Sequence, residues 1–399
     1  MIPVASYRLA SKQGLWLLYL TGFMITSSQQ ILAPLIPIYF KEEVGASLEV
    51  VGLLVALLFL SSAAGKILIT LYLGRNAPAM LLMGCILLAS SPILYLLTRS
   101  QTLIGSIRIL HGLGFSFFAT AGLSLASLIP STDKDKSIGF YTLALSLGLM
   151  VGPGVGSIGV RYLGFRSAFL LSSAAGIIAS ISSLIVRAGF RDEASYERSG
   201  TPLGDTFKVF RSKLFQTAFL CHLSFSIFYG AIIAYAPIHL KAAYRFEADI
   251  VSLIFFLYFL VTVISRFLIP RFLSMLKPLG TLLLGFVNAI ITAMLIYLLR
   301  DPLSVAASLV MVGLSHGIIF PSAAIIVSGE AASPSTLPAA NAVYLLGFDL
   351  GAMLGPVSVS SIASSVSIPA AILTAAAPVF FVTPFLAAYF RRTYRKGIN

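Results

Sequence analysis

The chain has 399 residues, 58% of them hydrophobic and only 10% charged, with a formal net charge of +13. Soluble domains carry roughly one-quarter charged residues, so this composition excludes a large soluble domain and describes an integral membrane protein. The positive charge does not point to nucleic acid, because the basic residues lie between apolar segments and form no single basic face.

At about 20 residues per helical crossing, the length accommodates roughly twelve spans. Apolar runs place them near 14–40, 49–73, 79–97, 102–129, 137–160, 167–186, 215–239, 249–270, 279–299, 303–329, 338–362 and 368–390. The first is too long, and has the wrong flanks, for a cleavable signal peptide. Its face carries Tyr19, Phe23, Thr26 and Gln30, rings interleaved with neutral polar groups, which suits either a cavity for an amphipathic molecule or packing against a neighbouring helix. The first span is expected to end in a proline-containing turn, as is the seventh.

In the fourth span, Arg108, His111, Gly112 and Phe115 fall on one helical face. Arg108 stays charged and so cannot carry a proton; it either holds a substrate anion, tunes a neighbouring acid or bonds to helix carbonyls. The fifth span holds Gly139, Gly148, Gly152, Pro153 and Gly156. Glycines at every fourth position line one stripe where a neighbouring backbone comes close, and Pro153 should bend the helix.

This spacing resembles motif C of the major facilitator superfamily, as it occurs in the twelve-span drug:proton antiporter branch, with Ser157 where a second glycine is usual. The string from Arg108 to His111-Gly112-x-Gly114 resembles motif B of the same families, His111 replacing the usual glutamine. Motif A is degenerate: the loop GKILITLYLGRNAP between the second and third spans keeps glycine and basic residues but no aspartate. The resemblance implies an all-α membrane fold of two six-helix halves that rock around a central cavity; the sequence shows no hydrolase triad, phosphate loop or metal-ligand cluster, so no enzymatic activity, cofactor or ATP-driven step is expected.

The seventh span places His222, Ser226 and Tyr229 on one face, and the tenth brings His316 and Phe320. In the eleventh, Asp349 is the only carboxylate deep in a span, about 160° round the helix from Gly351. Burial raises a carboxyl pKa and a nearby cation lowers it, so Asp349 is either the proton-coupling group, with Arg108 its electrostatic counterpart, or a structural acid. Gly351, Gly355 and Pro356 follow it. The substrate cavity is expected to draw on Tyr19, Phe23, Gln30, Arg108, His111, Phe115, His222, Tyr229, His316 and Phe320. No metal site is indicated: His111, His222, His239 and His316 are dispersed along the chain, and Cys85 and Cys221 read as small core residues.

An internal repeat divides the chain. Pro37-Ile38, Glu49, Lys66 and Pro78 recur as Pro237-Ile238, Asp249, Arg266 and Pro278 at an offset of 200. His111-Gly112 and Phe115 recur as His316-Gly317 and Phe320 at 205, and Gly148 and Gly152-Pro153 as Gly351 and Gly355-Pro356 at 203. This gives an N-terminal half over 1–186, a cytoplasmic linker over 187–214 and a C-terminal half over 215–399. With the N-terminus inside, seventeen Lys and Arg residues fall in cytoplasmic segments and seven in outer ones. Both termini are therefore expected in the cytoplasm of a cell-membrane protein. The expected function is secondary transport of a small, amphipathic or lipophilic organic solute by proton-coupled efflux, by a monomer whose partners are that solute, protons and the lipid bilayer. The alternatives are an importer or uniporter on the same fold, and a lipid-handling or receptor protein that transports nothing.

Overall fold

The structure, a computed structural model, describes residues 12–72, 76–127, 134–189, 210–330 and 337–396. Most of the 187–214 linker lies outside the described residues, as do Arg8, Arg75, Arg191, Arg198 and Lys208. The described residues form helices and no strand. In order these are α1 (Lys12–Leu32), α2 (Ile36–Glu42), α3 (Leu48–Tyr72), α4 (Ala77–Leu96), α5 (Gln101–Ser127), α6 (Lys134–Leu163) and α7 (Phe165–Gly189). They continue as α8 (Lys213–Tyr244), α9 (Ala248–Leu298), α10 (Pro302–Glu330), α11 (Leu337–Ser358), α12 (Ser360–Ser365), α13 (Ile368–Ala375) and α14 (Ala377–Lys396). Ten candidate spans among the described residues are long and apolar enough to cross a membrane.

The interior is apolar, but so is much of the outside, and several ionisable side chains are buried. Phe385 is 76% exposed, whereas Arg108 is 5% and Asp349 0% exposed. Apolar side chains on the outside gain nothing from being hidden when the solvent is lipid, while a charge at that depth must turn inward. Ten candidate spans with this distribution make the chain a multi-span membrane protein.

Several expected boundaries move. The expected first span breaks into α1 and α2 at the turn holding Pro34, which disfavours helical backbone at the residue before it. The expected turn at the end of the seventh span is absent: Pro237 lies inside α8, which runs on to Tyr244 and ends at Arg245 in the left-handed conformation, φ 56°. A proline is tolerated there because in hydrocarbon the chain has little alternative to helix. The expected eighth and ninth spans join in the 51-residue α9, interrupted at Lys277 (φ 55°, ψ 171°), the residue before Pro278. The eleventh and twelfth are each divided, at Val359 and Ala376. Pro153 sits within the unbroken α6.

Helix starts use side-chain caps. Asn76 accepts from Ala79 N–H at 3.2 Å, and Ser212 accepts from Leu214 and Phe215 N–H. Before α10, the Asp301 carboxylate accepts from both the backbone N–H (2.9 Å) and the hydroxyl (2.8 Å) of Ser304, which holds its pKa below the usual carboxylate value.

The chain divides into two compact units. Unit 1 takes the described residues of Met1–Ile36, Leu60–Gly200 and Ala248–Leu253; unit 2 takes those of Pro37–Phe59, Thr201–Glu247 and Ile254–Asn399. In unit 1, α1 packs against α6 and α7, and α4 against α5 and α7. Hydroxyls fasten the first group: Ser28 and Ser172 each donate to the other's backbone carbonyl at 2.7 Å, and Thr21 bonds Ser182 at 2.7 Å. Such bonds hold helices together where no hydrophobic force separates helix from lipid. In unit 2, α8 packs against α10, α11, α13 and α14.

Candidate functional site

In unit 1 the glycine stripe of α6 faces the backbone of α1. A Cβ at Gly148 would lie 2.7 Å from the Phe23 carbonyl oxygen, one at Gly152 2.7 Å from that of Ser27, and one at Gly156 2.8 Å from that of Ile31. Gly139 meets nothing within 4 Å. Phe23, Thr26 and Gln30 therefore lie along this helix seam, with the Gln30 and Thr26 Cβ atoms against Gly152 and Gly148. Tyr19 lies on it too, donating its hydroxyl to Ser137 Oγ at 3.2 Å and packing beside Phe140.

Beside the seam, His111 bridges three helices. Its Nδ1 bonds the Tyr95 hydroxyl of α4 at 3.0 Å, and its Nε2 bonds Gln29 Oε1 of α1. The imidazole thus uses both ring nitrogens, one toward a phenol and one toward an amide, each of which can complement it. Arg108, one turn earlier on α5, lies beside Tyr95. Lys66 of α3 sits 5.7 Å from the Phe115 ring centre. The sequence singled out Arg108, His111 and Phe115 but passed over Gln29 and Tyr95. The adjacent pair Gln29-Gln30 at membrane depth was the available signal, since such groups need partners there.

Unit 2 has an aromatic cluster. His222 stacks on Tyr344 with ring centres 4.1 Å apart and lies 5.3 Å from Phe320 and 5.7 Å from Phe348. His316 lies 5.0 Å from Tyr229, and its Nδ1 bonds the Tyr258 hydroxyl at 3.1 Å. Four residues singled out from the sequence, His222, Tyr229, His316 and Phe320, thus come together, joined by Tyr258, Tyr344 and Phe348. His239 contacts Tyr244 instead. No group of three or more metal-ligating side chains occurs among the described residues.

On α11, Gly351 and Gly355 face the backbone of α8, as the α6 glycines face α1: a Cβ at Gly351 would lie 2.7 Å from the Leu223 carbonyl oxygen. Asp349, on the same helix, is fully buried. At the end of α11, the Tyr235 hydroxyl donates to the Pro356 carbonyl at 2.8 Å. Gly52 of α3 passes so close that an added Cβ would strike that hydroxyl.

A family model described as the Major Facilitator Superfamily matches residues 18–331. The chain belongs to that superfamily. Among curated relatives, the quinolone resistance protein NorA of Staphylococcus aureus is 26% identical over 179 residues, 43% of this chain and 44% of the relative. The chain thus spans less than half the length of that relative in the match. The MFS-type transporter MJ1560 of Methanocaldococcus jannaschii is 22% identical over 323 residues, 77% of this chain and 80% of the relative. Among solved structures, a bacterial homologue of the human lysosomal transporter Spinster, in an inward-facing and unoccupied conformation, superposes with a TM-score of 0.74. It covers 97% of this chain and 98% of that one at 16% identity, a likeness of fold. Membership of this superfamily points to a transporter rather than an enzyme.

Proposed function

We propose that this major facilitator is a secondary active transporter that moves a small amphipathic organic solute by alternating access, exporting it in exchange for protons. The observation that carries the coupling is Asp349, a carboxyl with 0% exposure inside a helix at membrane depth. A carboxyl that meets water in one state of the cycle and is closed off in the other takes up and releases its proton with conformation. The similarity to a quinolone resistance protein supports export and an aromatic solute.

The same reading assigns twelve spans in two six-helix halves. The break at Lys277 supports that count, since it divides α9 into two helical stretches, 248–276 and 278–298, each of about 20 residues or more and so long enough to cross a hydrocarbon core of ~30 Å. The linker over 187–214 and both termini lie in the cytoplasm, and the protein acts as a cell-membrane monomer without nucleic acid. Unit 1 offers the solute Arg108, His111 and Phe115, with Tyr19, Phe23 and Gln30 on the adjoining α1–α6 seam, and unit 2 offers it His222, Tyr229, His316 and Phe320. The glycines Gly148, Gly152 and Gly156, and Gly351 and Gly355, with Pro153 and Pro356, are the close-packed seams along which helices shift.

Counterflow in proteoliposomes tests the reading. Vesicles preloaded with unlabelled quinolone should accumulate the labelled compound transiently. An absence of counterflow with quinolones, and with a panel of other aromatic amphiphiles, would favour a non-transporting membrane protein.

A further inference from the structure

Two cations inside helices α3 and α9 have no part in that scheme: Lys66 in unit 1 and Arg266 in unit 2. Both belong to the internal repeat, 200 residues apart, and so do their ring partners Phe115 and Phe320, 205 apart. Lys66 lies 5.7 Å from the centre of Phe115, and the Arg266 guanidinium 5.9 Å from the centre of Phe320. Each half of the repeat therefore sets a cation over a phenyl ring, the arrangement in which the negative face of the ring steadies the charge. The two differ in chemistry. Lysine offers a compact point charge, whereas arginine offers a planar fork of donors matched to a carboxylate.

The surroundings of Arg266 narrow what it could take. Tyr229, Tyr258 and Tyr344 lie near enough to interact electrostatically with the guanidinium. Two of these phenols are held by the protein itself: Tyr344 donates to the Phe320 carbonyl at 2.7 Å, and Tyr258 bonds His316 Nδ1. The neighbouring side chains are flat rings in contact with one another, with Tyr229 5.5 Å from Phe348 and Phe320 5.7 Å from Tyr344. Rings accept a planar arene by offset or edge contact, and a permanent guanidinium repels an organic cation and binds a carboxylate through two parallel hydrogen bonds.

We propose that Arg266 is a substrate-binding residue and that its ligand class is an aromatic monocarboxylate, an assignment that rests on the transporter reading above. Binding of labelled 1-naphthoate to the purified full-length protein tests it, with 1-naphthylmethylammonium and 1-naphthalenemethanol as competitors that keep the ring and change only the charge. Saturable naphthoate binding is expected, with both competitors weaker by about tenfold or more, the range of a charged hydrogen bond. Arg266→Gln should weaken naphthoate by about tenfold or more and leave the alcohol's affinity unchanged. Should the glutamine variant not elute as a folded protein, Arg266→Lys decides: it keeps the charge, loses the fork and should still bind more weakly than the native chain. Unchanged naphthoate affinity in the folded variants, tighter binding of the ammonium compound, or no saturable naphthoate binding would overturn the proposal. Quinolone counterflow persisting through any of those results would leave the transporter reading standing and remove only the anion assignment.

Discussion

Gly152 is the residue where the α1–α6 seam tolerates least. A Cβ there would meet Gln30 Cβ at 2.6 Å and the Ser27 carbonyl at 2.7 Å, and backbone does not move aside cheaply. Gly152→Leu should insert into the membrane normally, since leucine favours insertion, but lose about 1–3 kcal/mol of stability through overpacking and reduce or uncouple transport. Gly139→Ala is the internal control, because nothing stands within 4 Å of that position. Its thermal midpoint should match the native protein's, and normal stability and transport in Gly152→Leu would remove the stripe from the account. The stripe was legible in the sequence because its period is that of a helix, a local property. The partners of His111 were not: Tyr95 and Gln29 come from two other helices, and no local spacing encodes which phenol or amide meets which imidazole. The same limit hid the ring of tyrosines around Arg266, although the repeat had already paired Arg266 with Lys66.

At the scale of elements, sequence periodicity found the helical segments but not where they break. Pro34 ends a helix and Pro237 does not, so residue type alone cannot separate the two outcomes. In hydrocarbon the deciding factor is whether the freed carbonyl finds another partner. A helix end frees carbonyls as well: the Pro356 carbonyl, in the last turn of α11, accepts from the Tyr235 hydroxyl at 2.8 Å beside Gly52. Tyr235→Phe removes that donor and should lower stability by about 0.5–1.5 kcal/mol. Gly52→Ala displaces the same hydroxyl, so its cost should be smaller in the Tyr235→Phe background than in the native chain. A thermal-unfolding double-mutant cycle measures that coupling, and additive losses would mean that the two residues act independently.

For the whole molecule, the composition made a membrane protein plain and the motifs made the superfamily plain; the solute and its direction depend on side-chain placement that no motif specifies. The excess of basic residues in the segments assigned to the cytoplasm predicts the orientation. Ser199, in the linker outside the described residues, should therefore be shielded in intact cells. In a chain with Cys85 and Cys221 replaced, a single cysteine introduced by Ser199→Cys should stay unlabelled by an impermeant thiol reagent until the membrane is opened. Labelling in intact cells would invert the topology. The central claim is that a proton on Asp349 drives the transport cycle, and it is tested most directly in proteoliposomes under an imposed pH gradient. Asp349→Asn fixes the neutral form at nearly the same volume, so gradient-driven quinolone transport should vanish while counterflow exchange stays measurable. His111→Gln, which loses the bridge between Tyr95 and Gln29 but no charge, should be far milder. Full gradient-driven transport by Asp349→Asn, together with its loss in His111→Gln or His222→Gln, would make the histidines the proton carriers and Asp349 a structural acid.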